Sequence, residues 1–371
     1  MADDHSAPPR DSTTTGESSA VAEAGGGITG AALLNMARLR EFATLLIVIA
    51  VVIVFHVKTL PQTQSDPFPS VFLSPNNIQA MLRGITTEAI LVVGMTIVIV
   101  GGAFDISVGS ILALSGLACV FALKCGLPTP IGVLIGLLTG SLCGLINGLF
   151  VARVGISPLI ATMGMMMVAR GLVICYIHAA GPVRSDDLPA SFAAIGKAGF
   201  YGVRPAGEGG FLNMQGFWVM VVTLATVLVG DVLLRNLRWL RQVYYMGGNE
   251  KAAALSGINV ARVRTVTFVI TGLTAGLAGV LNSARYGTAS YEAGQGIELQ
   301  VIAECVIGGA SLVGGQGTVL GAFLGVVLVN CIKTGLTQTG VPPDWRFVIV
   351  GAALVFFVTL DVLVAKRRRG A

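Results

Sequence analysis

Apolar residues are grouped in long runs along the chain, separated by shorter polar segments. A helix needs about 20 apolar residues to cross the hydrocarbon core of a bilayer, and the runs have about this length. They predict ten spans, at residues 40–58, 80–100, 106–124, 130–151, 157–177, 215–234, 265–284, 298–313, 316–333 and 345–365. The eighth span is the weakest because it contains Glu298, Gln300 and Glu304. The predicted fold class is therefore all-α, a polytopic membrane protein with about ten transmembrane helices.

The composition excludes an ordinary water-soluble domain. Of the 371 residues, 54% are hydrophobic and 12% are charged, and the mean hydropathy is +0.81, whereas soluble domains carry about 25% charged residues. The six cysteines are scattered, mostly in apolar runs, with no Cys-x-x-Cys spacing. Small buried hydrophobic residues explain them better than metal or redox chemistry does. We therefore predict no metal site.

Lys and Arg residues next to the ends of the spans predict the orientation. They are more frequent on the side that contains residues 235–264, the most basic segment. Because cytoplasmic loops are enriched in Lys and Arg, both termini are predicted to be cytoplasmic. The net charge of +5 is then an orientation signal, and nucleic acid is not an expected partner.

The orientation predicts the domain organisation. Residues 1–36 are rich in small and polar residues and are expected to form a disordered cytoplasmic tail. Residues 37–366 form the transmembrane domain, and residues 367–371 form a basic cytoplasmic tail. The domain has two long connections, a periplasmic loop at residues 178–214 and a cytoplasmic loop at residues 235–264.

The first polar motif interrupts an apolar run. Residues 101–110 read Gly-Gly-Ala-Phe-Asp-Ile-Ser-Val-Gly-Ser. Irregular backbone and an acid near the membrane boundary must be satisfied by protein or must line a water-filled cavity. Asp105 or Ser107 is therefore expected either to cap the following helix or to lie on a solute pathway.

The second motif predicts a short, self-contained helix in the basic cytoplasmic loop. Residues 247–258 read Gly-Gly-Asn-Glu-Lys-Ala-Ala-Ala-Leu-Ser-Gly-Ile. Asn249 is a good N-cap, Glu250 complements the positive helix end, and Gly257 is a natural stop. Such a helix suits a groove on another protein, while the alternative, a helix on the lipid surface, would need a bulkier apolar face.

Glycine patterns mark the packing of the helices. Glycines recur every four residues from Gly132 to Gly148, and again at Gly317, Gly321 and Gly325. Small residues at this spacing let helix backbones approach closely, so we expect packing within the chain, with an interface between subunits as the alternative. Residues 307–317 contain a further Gly-Gly-Ala sequence that resembles the first motif, and paired interrupted segments often frame the central site of a transporter.

Ionisable residues inside spans are further candidates for function. Glu88, Arg170 and Glu304 lie within predicted spans, where charged groups are costly and often functional. Arg170 could also extend to the outer interface, and Asn147 and Thr162 are ordinary candidates for hydrogen bonds between helices. The chain has no phosphate-loop, zinc-protease or Gly-x-Ser-x-Gly motif, so we expect neither ATP hydrolysis nor enzymatic activity from it.

Four motifs in order resemble one family. The chain resembles the permease subunits of bacterial ABC importers for sugars such as ribose, arabinose, xylose and rhamnose. The motifs that carry the resemblance are residues 94–109, 147–171, 247–258 and 307–317. We call residues 247–258 the coupling segment. Ala103, Phe104 and Ile106 depart from the usual pattern of the first motif. The resemblance covers residues 40–365.

The resemblance implies an importer subunit in the inner membrane. Its expected partners are a cytoplasmic ATPase, which uses the ATP, a periplasmic solute-binding protein, a second permease chain and membrane lipid, and the chain itself needs no cofactor. The residues expected to couple to the ATPase are Gly247, Gly248, Asn249, Glu250, Ala252, Ala253, Ser256 and Gly257. The residues expected along the substrate pathway are Asp105, Ser107, Asn147, Thr162, Arg170 and Glu304.

Two other classes of transporter remain open at this point. A secondary transporter driven by protons or sodium would need embedded acids, for which Glu88 and Glu304 are candidates. Within the ABC class, a permease for branched-chain amino acids or nucleosides would have a similar sequence. We expect a monosaccharide or polyol as the solute.

Overall fold

The protein is described by a computed structural model that covers residues 30–60, 70–181, 183, 187–197, 199–201 and 213–342, with single positions between 345 and 359. Residues 1–29, the basic tail and most of the predicted tenth span lie outside the described residues, as does part of the loop at residues 178–214. Residues 30–36, assigned from the sequence to the disordered tail, are helical.

Helices dominate the described part of the chain. They are α1 (Gly30–Lys58), α2 (Pro75–Val100), α3 (Val108–Lys124), α4 (Thr129–Leu149, continued by a π-helical turn, Phe150–Val154), α5 (Pro158–Ala180), α6 (Ala190–Lys197), α7 (Phe217–Asn236), α8 (Arg238–Gly248), α9 (Glu250–Leu255), α10 (Val260–Tyr286), α11 (Ile297–Ile307) and α12 (Val319–Gln338). Between α6 and α7, a short antiparallel hairpin pairs β1 (Gly199–Tyr201) with β2 (Asn213–Gln215), a small addition to the predicted all-α fold.

The lengths of the helices identify a polytopic membrane protein. Seven of the described helices, α1, α2, α4, α5, α7, α10 and α12, are long and apolar enough to cross a membrane. Helix α3 is apolar but has 17 residues. Helix α11 has 11 residues, about 16 Å, or half the hydrocarbon thickness. The predicted eighth span is therefore a half-length helix followed by a linker, which we call the 308–318 linker.

Helix α2 lies at the centre of the bundle. It packs against α7, α10, α11 and α12, and its residues 89–100 are all buried. A helix that is apolar on every side is stable only when neighbouring helices surround it. Its carboxyl end therefore lies where several elements meet.

The first glycine ladder brings α4 against α10. A Cβ atom on Gly140 would lie 2.3 Å from the carbonyl oxygen of Gly272, and one on Gly144 would lie 2.2 Å from that of Phe268. These distances are too short for any side chain, so the two backbones are in direct contact. The ladder packs within the chain, as predicted.

The second glycine series is divided between two structures. Gly321 and Gly325 lie on α12 and pack against α11, with Gly325 in contact with the backbone of Glu304. Gly317 instead lies in the 308–318 linker, where its φ of +145° favours glycine. The spacing in the sequence continues through a break in the helix.

Candidate functional site: the coupling segment and the glycine junction

The coupling segment forms the predicted short helix, α9. The side-chain oxygen of Asn249 accepts the N–H of Ala252 at 3.1 Å and caps the helix. Gly257 ends it with a φ of +84°, and the N–H of Ile258 donates to the carbonyl of Ala253 at 3.1 Å. Local sequence therefore determines both ends of the helix.

The outer face of α9 carries an exposed apolar side chain that was not among the predicted coupling residues. Leu255 is 91% exposed, whereas Ala253, on the opposite face, is buried. Glu250 forms an ion pair with Arg264 at 2.6 Å, which joins α9 to the start of α10. An exposed leucine on a short capped helix is typical of an anchor that fills a pocket on another protein.

The three glycine-rich motifs meet directly behind the coupling segment. The N–H of Gly315 donates to the carbonyl of Val100 at 2.8 Å. A Cβ atom on Gly247 would lie 1.8 Å from that same carbonyl oxygen, and one on Gly314 would lie 3.0 Å from the Cα of Gly102. We call this contact between backbones the glycine junction; its residues are Val100, Gly102, Gly247, Gly314 and Gly315.

The glycine junction connects α8 to both interrupted segments of the bundle. It joins the carboxyl end of α2 to the 308–318 linker, and α8 lies against both. Because backbone touches backbone, a movement of α8 cannot be absorbed by side-chain rotation. The resemblance between the first and third motifs thus corresponds to physical contact.

Polar contacts from other helices hold the same linker. The hydroxyl of Tyr244, on α8, donates to the carbonyl of Gly317 at 2.8 Å, and Arg40 donates to the carbonyl of Gly309 at 3.0 Å. Burial raises the pKa of Tyr244 to about 12. Its hydroxyl therefore remains a hydrogen-bond donor at neutral pH.

A charged network extends this support to α1, α7 and α12. Arg235 pairs with Glu41 and, at 2.6 Å, with Asp231. Thr318 donates to Glu41 at 2.6 Å, and the N–H of Leu320 donates to Asp231 at 3.1 Å. The i, i+4 spacing of Asp231 and Arg235 is visible in the sequence, but their partners are more than 80 residues away.

The residues predicted for the substrate pathway separate into several groups. Asp105 and Ser107 are completely buried, and Asp105 accepts the N–H of Ser107 at 2.8 Å as well as its hydroxyl. Asn147, on α4, donates to Ser107 at 3.0 Å and to Asp105 at 3.4 Å. Ser107 precedes α3 but makes no capping hydrogen bond with its side chain. This network fastens the interrupted segment to α4.

Thr162 and Glu304 are also buried. The hydroxyl of Thr162 donates to the carbonyl of Pro158, one turn earlier in α5, at 2.8 Å. Glu304 accepts from Gln300 at 2.6 Å and contacts Glu88, which is 3.5 Å from Lys333. None of these groups is exposed on the surface of the single chain, and their place on the pathway stays a prediction.

Arg170 has different neighbours from the other pathway candidates. One of its terminal nitrogens donates to the carbonyls of Tyr291 and, at 2.8 Å, of Ala293. Both carbonyls belong to the segment that leads from α10 into α11. Arg170 therefore positions backbone in this segment.

Comparison with known proteins identifies the family. A family described as "Branched-chain amino acid transport system / permease component" matches residues 77–358, most of the chain. The chain belongs to this family of ABC transport permeases. Its members are transport subunits, so the chain is not an enzyme.

Individual relatives are permeases for sugars. The ribose import permease protein RbsC of Bacillus subtilis is 34% identical across 78% of this chain and 86% of its own length. The xylose transport system permease protein XylH of Escherichia coli is 31% identical across 92% of this chain and 96% of its own length. The L-arabinose ABC transporter permease protein AraH of Azospirillum brasilense is 33% identical, covering 80% and 83%. The resemblance to sugar permeases inferred from the four motifs is confirmed.

Proposed function

We propose that this permease forms the inner-membrane pathway of an ATP-driven importer for a monosaccharide or polyol. It works as a pair of permease chains, a separate cytoplasmic ATPase drives it, and a periplasmic binding protein delivers the solute. The observation that carries this proposal is the capped helix α9, with Leu255 exposed on it, which is continuous with the glycine junction. The similarity to permeases for ribose, xylose and arabinose supports a sugar as the solute.

In the proposed mechanism, the ATPase moves α9 when it binds ATP. Helix α8 follows because α9 continues directly from it at Asn249. The glycine junction then carries the movement to the carboxyl end of α2 and, through the 308–318 linker, to α11. Helix α11 is half the length of a full span and ends where this linker begins, so we take it as the element that shifts.

Transport measurements on the purified permease test this proposal. Vesicles containing the permease and its ATPase are expected to hydrolyse ATP faster when the solute-loaded binding protein is added, and to accumulate the solute. An imposed proton or sodium gradient, applied to the permease alone, is expected to drive no uptake. Uptake under the gradient alone would instead identify an ion-coupled transporter that uses Glu88 and Glu304.

The solute is tested separately. Pentoses, hexoses, polyols and branched-chain amino acids are presented to the binding protein, and the shift in its melting temperature is measured. A shift with sugars or polyols alone supports the proposal. A shift with branched-chain amino acids would support the solute named in the family description and would overturn the assignment of a sugar.

A further inference from the structure

The segment formed by residues 290–300 has several exposed polar side chains. Glu292 and Gln295 are exposed, Glu298 is partly exposed, and Leu299 is 67% exposed. These residues end the connection after α10 and form the first turn of α11. Five of the six pathway candidates chosen from the sequence are buried, so this segment has the polar surface that they lack.

Two independent contacts give the depth of the segment. Arg170, which binds its carbonyls, lies 12 residues after Pro158, about 18 Å from the start of α5. Gly109, which contacts the backbone of Gly294, lies in the first turn of α3, about 22 Å from Lys124 at the far end of that helix. Measured from these helix ends, both positions lie within the thickness of a hydrocarbon layer of about 30 Å, and we call residues 290–300 the re-entrant segment.

Close packing holds the segment in place. A Cβ atom on Gly109 would lie 2.1 Å from the carbonyl oxygen of Gly294 and 2.7 Å from a carboxylate oxygen of Glu298. The hydrogen bonds of Arg170 to Tyr291 and Ala293 hold the other side. The backbone of the segment is therefore held by contacts on two sides, and its exposed side chains project from a defined position.

Polar side chains exposed at this depth cannot face lipid. Charged groups are costly in hydrocarbon, and they face a bundle interior or a water-filled cavity. Helix α4 differs, because its exposed large side chains are apolar and include Leu134, Leu138 and Leu142. An apolar surface of this kind is suited to contact with lipid, whereas the polar surface of the re-entrant segment is not.

We propose that the re-entrant segment lines the solute pathway and contacts the hydroxyl groups of the solute, with Gln295 and Glu298 as the contacting residues. This inference rests on the proposed function. It also predicts the class of solute, because Glu292 and Glu298 contribute two carboxylates beside the guanidinium of Arg170, one of whose terminal nitrogens already donates to two carbonyls. Carboxylates accept hydrogen bonds from hydroxyls, and amides both accept from them and donate to them. The surface therefore favours neutral polyhydroxylated solutes and disfavours anions.

Cysteine accessibility in the complete importer tests the inference. The test variants are Gln295→Cys and Leu299→Cys, and the control variants are Leu138→Cys and Leu142→Cys. All four are made in a chain in which the two exposed cysteines are replaced, by Cys125→Ser and Cys175→Ser. The reagents are a small charged methanethiosulfonate and a bulky polyethylene-glycol maleimide. Thiolate forms in water and is suppressed in apolar surroundings, so the small reagent is expected to modify positions 295 and 299 at least about tenfold faster than the controls.

Each result has a definite meaning. Slower modification in the presence of binding protein loaded with ribose, xylose or arabinose, and resistance to the bulky maleimide, support a narrow pathway. Equal rates at all four positions, or rapid reaction with the bulky reagent, would place the segment against lipid or at the outer surface and overturn the inference. ATPase stimulation in the unsubstituted importer is measured in the same vesicles, so failure of the proposed function is recognised separately.

Substitution of the proposed contact gives a second test. Gln295→Ala removes an exposed amide and is expected to lower solute uptake about tenfold, the effect of about 1.4 kcal/mol of lost binding. Leu138→Ala, on the exposed apolar surface of α4, is the matched control. Uptake by Gln295→Ala equal to that of the control, at equal amounts of protein in the membrane, would refute the contact.

Discussion

Replacing Gly247 with alanine tests the glycine junction most sharply. The new Cβ atom would lie 1.8 Å from the carbonyl oxygen of Val100 and 2.7 Å from the nitrogen of Gly315. Non-bonded carbon and oxygen atoms need about 3 Å or more, so α8 must move away from α2 by more than about 1 Å. Overpacking of this kind costs about 1–3 kcal/mol, which corresponds to an equilibrium shift of about 5- to 150-fold away from the joined state.

The assay is ATPase activity in vesicles containing permease, ATPase and binding protein. Gly247→Ala is expected to preserve insertion into the membrane and basal hydrolysis, and to reduce stimulation by the loaded binding protein at least about fivefold. Gly164→Ala, on α5, is the matched control because a Cβ atom there meets nothing within 4 Å. Full stimulation of the Gly247→Ala importer, or equal loss in both variants, would show that the glycine junction does not transmit the movement.

Three further substitutions address separate contacts. Leu255→Asp places a charge on the exposed tip of α9 and is expected to abolish co-purification of the ATPase without changing the melting temperature; unchanged co-purification would remove Leu255 from the interface. Tyr244→Phe leaves the carbonyl of Gly317 without its donor and is expected to cost about 1–3 kcal/mol, seen as a lower melting temperature and weaker ATPase stimulation. Because the pKa of Tyr244 is about 12 instead of 10, this stabilisation is complete below about pH 10 and is lost as pH rises through 12, and the melting temperatures of the two proteins should converge there. Asn147→Leu leaves Ser107 without a buried donor and is expected to lower the melting temperature, and a stability equal to that of the unsubstituted chain would contradict the network.

Local chemistry made much of this protein predictable. A helix that enters lipid must satisfy its own backbone, so long apolar runs predict spans wherever they occur. The short helix α9 was equally accessible because Asn249 and Gly257 act on backbone groups within a few residues. Glycine spacing predicted close packing of α4 because only residues of that size permit it.

What only the tertiary structure decided depends on contacts between residues far apart in the chain. Nothing local indicates that Val100, Gly247 and Gly315 meet, or that Glu41 and Asp231 both support the start of α12. Local sequence likewise cannot separate a buried polar group such as Asp105 from an exposed one such as Gln295, because both lie in glycine-containing segments next to an apolar run. Burial is a property of the assembled helices, and it moves the proposed solute contact from Asp105 in the first motif to the re-entrant segment at residues 290–300.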